Sequence, residues 1–438
     1  MKTLRLGRYA LCTGVAVALL AGCGGSQPPT GAPGAIPPFG TSGMARENAA
    51  RQGPQFFRVL YRFAGGRHDG QNPQASLIDV NGTLYGTTAA GDGCKHGYDS
   101  GCGTVFSIST SGSEKVLYRF AGGSDGWLPV ASLIDRNGTL YGTTRYGGGS
   151  GCVEYFGCGT IYTISASGTE KVFYAFQSNV NGSQPLADLI DVHGTLYGTT
   201  YLGGASYLGT VFSLSKRGVE TVLHSFAGGA DGEYPYAGLI DIKGTLYGTT
   251  WSGGGGCGSS GGCGTVFSIS TSGVEKVIYR FAGGSDGANP NAGLTVVNGI
   301  MYSTTSPFIG CGSGGGCGTV YQISTTGKEK VLHQFGLGSD GSQPIAGLIN
   351  VNGKLYGTTQ TGGLISECGK YPGGCGTVYS VTTGGTEKVL HSFAGSSDGA
   401  YPLAGLTYAG GRPYGTTASG GTSGCGGAGC GTVFTLSP

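Results

Sequence analysis

Charge is what this 438-residue sequence has least of: 25 basic and 23 acidic residues make up 11% of the chain and leave a formal net charge of +2. So balanced and sparse a set gives no basic field for nucleic acid or for an anionic lipid surface, and it excludes both as electrostatic partners. No apolar run reaches the roughly 20 residues that a membrane-spanning helix needs. Histidine is scarce as well, with six copies, which leaves few groups for acid/base chemistry near neutral pH. Glycine is abundant instead: 94 glycines and 17 prolines would mark a disordered chain if they fell without a period.

The N-terminus is read first, because a targeting segment is easily mistaken for structure. Lys2, Arg5 and Arg8 precede the apolar run "YALCTGVAVALLAG", and "LAGC" (Leu20 to Cys23) ends it with small residues before a cysteine. The pattern resembles a bacterial lipoprotein signal: residues 1–22 form the leader, and Cys23 becomes the lipidated first residue. Gly24, in place of an aspartate, favours the outer membrane, in a cell that has one, by analogy with lipoprotein sorting. Residues 23–55 are dense in Gly, Pro and Ser without apolar periodicity and read as a flexible tether. Removing the leader takes away three basic residues and no acidic one, so the mature chain is nearly neutral.

From residue 56 onward the glycines acquire a period. A "YGTT"-like motif recurs with its tyrosine at Tyr85, Tyr141, Tyr197, Tyr247, Tyr302, Tyr356 and Tyr414, spaced 50 to 58 residues apart. Each unit reads as four short β segments, A to D: "AGLID", "TLYGTT", "GTVFSIS" and "EKVLYRF", rich in Val, Ile, Tyr, Phe and Thr. A and B are joined by "NG" in four units and by "HG", "KG" or "GG" in the others, a tight-hairpin signature. The C to D joints are short too, whereas the B to C and D to A joints are long, so the long loops share one end of every sheet.

A four-stranded unit of this length repeated seven times predicts an all-β, seven-bladed β-propeller over residues 56–438. The array opens with a lone D-like segment, "FRVLYRF" at 57–63, and finishes with "GTVFTLSP", which has no D segment after it. The first segment is therefore expected to complete the last sheet and close the ring. Strand A is expected innermost, where seven chains converge and small residues fit: "AS" at 75 and 131, "AD" at 187, and "AG" at 237, 292, 346 and 404.

Fourteen cysteines are present. Apart from Cys12 and Cys23 they fall as near pairs in the B to C loops: Cys94 with Cys102, Cys152 with Cys158, Cys257 with Cys263, Cys311 with Cys317, Cys368 with Cys375, and Cys425 with Cys430. The third unit lacks both cysteines together, as a pairwise bond requires. Two thiolates per loop do not make a four-ligand zinc set, so disulfides in an extracytoplasmic compartment are expected.

The D to A joints carry Asp69, Asp125, Asp231, Asp286, Asp340 and Asp398, with Asn181 in the remaining unit. Each loop offers a single carboxylate where a calcium loop offers several, so these are read as structural turn residues and no metal is expected. His224, His333 and His391 occupy a position that is tyrosine in sister strands, and His193 replaces a turn asparagine. His68, His96, Glu154, Glu233 and Glu367 are isolated loop residues, and no catalytic residue or cofactor emerges from them. Blade-specific aromatics concentrate in the long loops: Trp127, Tyr146, Tyr155, Phe156, Tyr201, Tyr207, Tyr234, Trp251 and Tyr371. On a rigid face they suit sugar stacking or a protein anchor, or they cover loop edges and pack on the next blade.

The repeated "GTLYGTT…GCGTVFSIS…EKVLYRFAGGSDG…P…GLI" resembles the GloVer tandem-repeat family of bacterial exported proteins, which use different anchors. The resemblance covers about residues 57–438 and implies an exported, propeller-like repeat protein without bringing catalytic residues to carry over. The whole reading is a monomeric, lipid-anchored, extracytoplasmic binding or scaffold module with a glycan or protein ligand on the long-loop face. A secreted carbohydrate-active hydrolase or lyase and a structural surface protein are the alternatives.

Overall fold

Alternation of β-rich segments with two kinds of joint makes each repeat an antiparallel meander. The computed structural model describes residues 57–437 except 67, 92–93, 95–100, 150–151, 153–155, 178–179, 258–260, 307–316, 337, 365–367 and 369–372. It shows seven four-stranded antiparallel sheets, the blades of a β-propeller. In blade 1 the strands are Ile78–Val80, Thr83–Thr88, Thr104–Ser109 and Glu114–Arg119, and the later blades repeat this order. The A strands are shorter than "AGLID" suggests: three residues each, because the small residues before them line the axis without making sheet hydrogen bonds.

The ring closes as the lone first segment requires. Strand Phe57–Arg62 pairs with Thr432–Leu436, Phe57 opposite Leu436 and Arg62 opposite Thr432, so the last sheet takes its outermost strand from the start of the propeller. Hairpin chemistry sets the A to B joints: both loop residues are left-handed in every blade, as in Asn81 (φ 53°) with Gly82 (φ 83°) and Lys243 (φ 55°) with Gly244 (φ 83°). In the "DG" of the D to A joint glycine has a steric reason: a Cβ on Gly126 (φ +92°) would lie 2.3 Å from Thr144 Oγ1. That threonine is itself held 2.7 Å from Thr160 Oγ1, a pair repeated across strands B and C of all seven blades.

Between blades the core is a ring of aromatic pairs. The phenylalanine that follows each D strand meets, near edge-to-face, the central aromatic of the next blade's C strand: Phe63 on Phe106, Phe120 on Tyr162, Phe176 on Phe212, Phe226 on Phe267, Phe281 on Tyr321, Phe335 on Tyr379 and Phe393 on Phe434. Centroid separations of 5.0 to 5.3 Å fall in the favourable range for such pairs. All of these rings are buried, and each cluster bridges neighbouring sheets, so the blades hold one another rather than standing alone. Among the described residues no helix is long and apolar enough to cross a membrane. Residues 1–22, the tether 23–55 and Cys23 lie outside the described residues.

Candidate functional site

Three sets of polar or aromatic side chains stand out against the repeated scaffold. The first lies between blades. Each loop aspartate accepts a backbone N–H from five or four residues earlier, Ala64 to Asp69 at 2.6 Å and Ala121 to Asp125 at 2.6 Å, and so pins the D to A turn. The same carboxylate meets the D-strand tyrosine or histidine: Tyr118 donates to Asp125 at 2.8 Å, Tyr279 to Asp286 at 2.5 Å, and His391 Nε2 lies 3.0 Å from Asp398. Asn181 serves blade 2 differently, donating to Glu220 at 3.1 Å.

That glutamate is one of a set that the sequence alone presents only as strand residues. Glu114, Glu170, Glu220, Glu275, Glu329 and Glu387 each open a D strand, and each has a buried Oε1 without a hydrogen-bond partner. Burial, then the charge of the neighbouring blade's aspartate, pushes five of these carboxyls up to about 7. Glu220, facing Asn181, is raised by burial alone, and hydrogen bonds from Asn181 and Tyr174 oppose the rise. His224, Asp231 and Glu275 bring three potential metal-ligand atoms within 4.8 Å of one another. Sister blades build the same arrangement with tyrosine, as Tyr279 does beside Asp286 and Glu329, so the cluster belongs to the repeated packing of one blade on the next.

The second set is the B to C loops. Disulfides join Cys94–Cys102, Cys152–Cys158, Cys257–Cys263, Cys368–Cys375 and Cys425–Cys430, with Cα separations of 5.2 to 5.7 Å. Cys317 is disulfide-bonded too, and Cys311 lies outside the described residues. Four of the nominated aromatics have settled packing or open exposure. Trp127 is buried, tilted against Tyr146 at 4.6 Å and 5.9 Å from Phe156, so these three form a small core over blade 2. Tyr207 is 59% exposed at the tip of the cysteine-free loop. Tyr155 and Tyr371 lie outside the described residues, as do His96, Glu154 and Glu367.

The third set surrounds the axis. An axial cavity of about 690 Å³ is walled by the small residues before the A strands. One blade breaks the pattern: Asp188 stands where others carry Ser or Gly, and its Oδ1 accepts the Ser132 N–H at 2.6 Å. Asp188 lines the cavity, and burial pushes its carboxyl up against the opposing pull of Ser132.

At the long-loop end, the residue after each "TT" reads Ala89, Arg145, Tyr201, Trp251, Ser306, Gln360 and Ala418 around the ring. Blades 2 to 4 thus carry a cation and large rings, while blades 7 and 1 carry alanine. Tyr201 packs on Tyr234 and on Tyr236, each at 5.2 Å, and Tyr234 lies 6.4 Å from Trp251. Tyr236 lines the cavity and is 39% exposed, and Arg145 lines it as well. Of this half-exposed shelf the sequence reading nominated Tyr201, Tyr234 and Trp251; it missed Tyr236 and Arg145, although a residue breaking an otherwise regular repeat is the signal that marks them.

A model of the Gloeobacter/Verrucomicrobia repeat matches residues 51–261 and 308–438. The chain belongs to this family. Its repeats are the propeller blades described above. Among solved structures it is similar to a streptogramin B lyase at 14% identity, covering 87% of this chain and 97% of that one with a TM-score of 0.54. It is also similar to virginiamycin B lyase from Staphylococcus aureus at 12% identity, covering 87% and 99% with a TM-score of 0.55. At this identity the likeness concerns the fold. No curated protein matches the sequence.

Proposed function

We propose that this protein is a saccharide-binding module of the bacterial envelope, tethered by lipid at Cys23 and taking its ligand at the long-loop mouth of the axial cavity. The observation that carries the reading is the shelf of Tyr201, Tyr234, Tyr236 and Trp251, gathered on one side of a mouth whose other blades carry no aromatic ring at the position after "TT". Half-exposed rings on a rigid sheet-borne frame offer flat apolar faces to a sugar ring at little ordering cost. Acid-pair hydrolysis needs two carboxylates about one bond. The described lining of the cavity offers one, Asp188, which favours holding a ligand over cleaving it. Disulfide-bonded loops agree with an oxidising compartment outside the cytoplasm.

A saccharide array probed with the full chain tests the reading, beside Tyr236→Ala and Trp251→Ala. Binding that falls at least tenfold in both variants, with unchanged thermal unfolding, supports it; no binding to any saccharide, or binding indifferent to both variants, defeats it. The anchor is tested separately by feeding cells a labelled fatty acid. Label should enter the wild-type chain and be absent from Cys23→Ala, and label in neither would remove the lipid.

A further inference from the structure

The mouth carries a second kind of group beside the rings. Arg145 hangs over the cavity with its Nε donating to Gln184 Oε1 at 3.0 Å, and its guanidinium lies 5.0 Å from the Tyr146 ring centroid. Gln184 is buried, and Tyr146 is held in turn by Trp127 and Phe156, so both contacts fix the side chain without neutralising it. Among the described residues no carboxylate pairs with Arg145, and its hydrogen bonding ends at Nε. Its charge still reaches the shelf, where it works against the burial that raises the Tyr201 phenol.

A guanidinium orientated through Nε presents its outer nitrogens as a planar fork, and that fork matches a carboxylate in two parallel hydrogen bonds. Arg136, a second arginine that lies over a tyrosine ring, is committed by contrast: it pairs with Asp191 and also donates to the Gly194 carbonyl at 3.0 Å. Among the described residues, then, Arg145 stands at the cavity mouth without a paired carboxylate, in a chain with few charges.

Resting on the saccharide reading above, we infer that the ligand is an acidic saccharide: one sugar ring lies on the Tyr201–Tyr236 shelf while its carboxylate, or that of the adjoining ring, is held by Arg145. The neighbouring polar groups at the mouth, Gln74, Asn291 and Gln360, can meet sugar hydroxyls as donors or acceptors.

The experiment is calorimetric titration of the full chain with oligo-uronates, their methyl esters, neutral oligosaccharides of the same length, and peptides with a free C-terminal carboxylate. Wild type should prefer a uronate over its ester by about tenfold or more, the scale of a charge-assisted hydrogen bond. Arg145→Gln should abolish that preference by weakening the acid far more than the ester, and Arg145→Lys should keep part of it. Added salt should weaken the acid and spare the ester. Equal binding of acid and ester, or a preference that survives Arg145→Gln, overturns the inference and leaves the saccharide reading intact. Tight binding of the peptides alone overturns both, as does the absence of any binding.

Discussion

The ring of Phe57 lies flat against that of His391, with centroids 3.6 Å apart and planes 5° from parallel. Phe57 occupies the strand position that is glutamate in the other six blades, as its pairing opposite Leu436 shows beside Glu114 opposite Ile108. At this one blade boundary the repeated carboxyl contact is replaced by a stack, and it is the boundary where the first strand joins the last sheet. Phe57 also packs on Phe393 and Phe434, so it binds the seam from three sides. Phe57→Ala should lower unfolding free energy by about 2 kcal/mol, less than for a fully buried ring because Phe57 is half-buried. Denaturant titration measures this, and an unchanged midpoint would mean that the seam is held by backbone pairing alone.

The buried glutamates make stability depend on pH. Five of them release their proton near pH 7 in the folded protein and near 4.5 when unfolded. Folded protein therefore binds more protons between those values, and stability must fall as pH rises through the window. Below it the contribution is fully present, and above it the loss is complete. Melting temperature should drop from pH 5 to pH 8. The triple variant Glu275→Gln, Glu329→Gln and Glu387→Gln should flatten that drop and melt higher than wild type at pH 8. A wild-type melting temperature that climbs over the same range would contradict the assignment.

Reduction should act loop by loop. Each bridge closes five to eight residues, which in the chain-entropy model contributes about 2 kcal/mol. Limited proteolysis of the reduced protein should cut the B to C loops of the disulfide-bearing blades and spare residues 201–209, the naturally cysteine-free loop. Non-reducing peptide mapping should find every bridge within its own loop, Cys311 with Cys317 included, and a bridge between loops would contradict this.

Blade number and ring closure were legible because the repeat states them: "FRVLYRF" has the D-strand pattern and "GTVFTLSP" lacks its successor, and the two strands do pair. The glutamates escaped notice for the opposite reason. A residue present in nearly every copy of "EKV" looks like strand composition, and only the packing of one blade on the next shows that it faces another blade's aspartate. Trp127 and Tyr234 are equivalent as loop aromatics in sequence. One became core because Tyr146 and Phe156 arrive beside it, and the other stayed half-open because its neighbours are Tyr201 and Trp251. Such three-body outcomes have no local signature. Strand A was overextended for a simpler reason: apolar residues before "ID" face the axis, where no partner strand exists to pair with them.

The pairing of residues 57–62 with 432–436 also dictates an order of events. The segment made first is the one that must wait longest, since its only neighbour strand is synthesised some 370 residues later. Until then the nascent molecule carries an orphan β segment at its head and an unfilled groove at its tail, each a template for a mistaken partner. Fusing a copy of "FRVLYRF" to the tail and deleting the original would convert this long-distance clasp into a local one, and such a permuted chain would commit to its native ring as soon as synthesis ended.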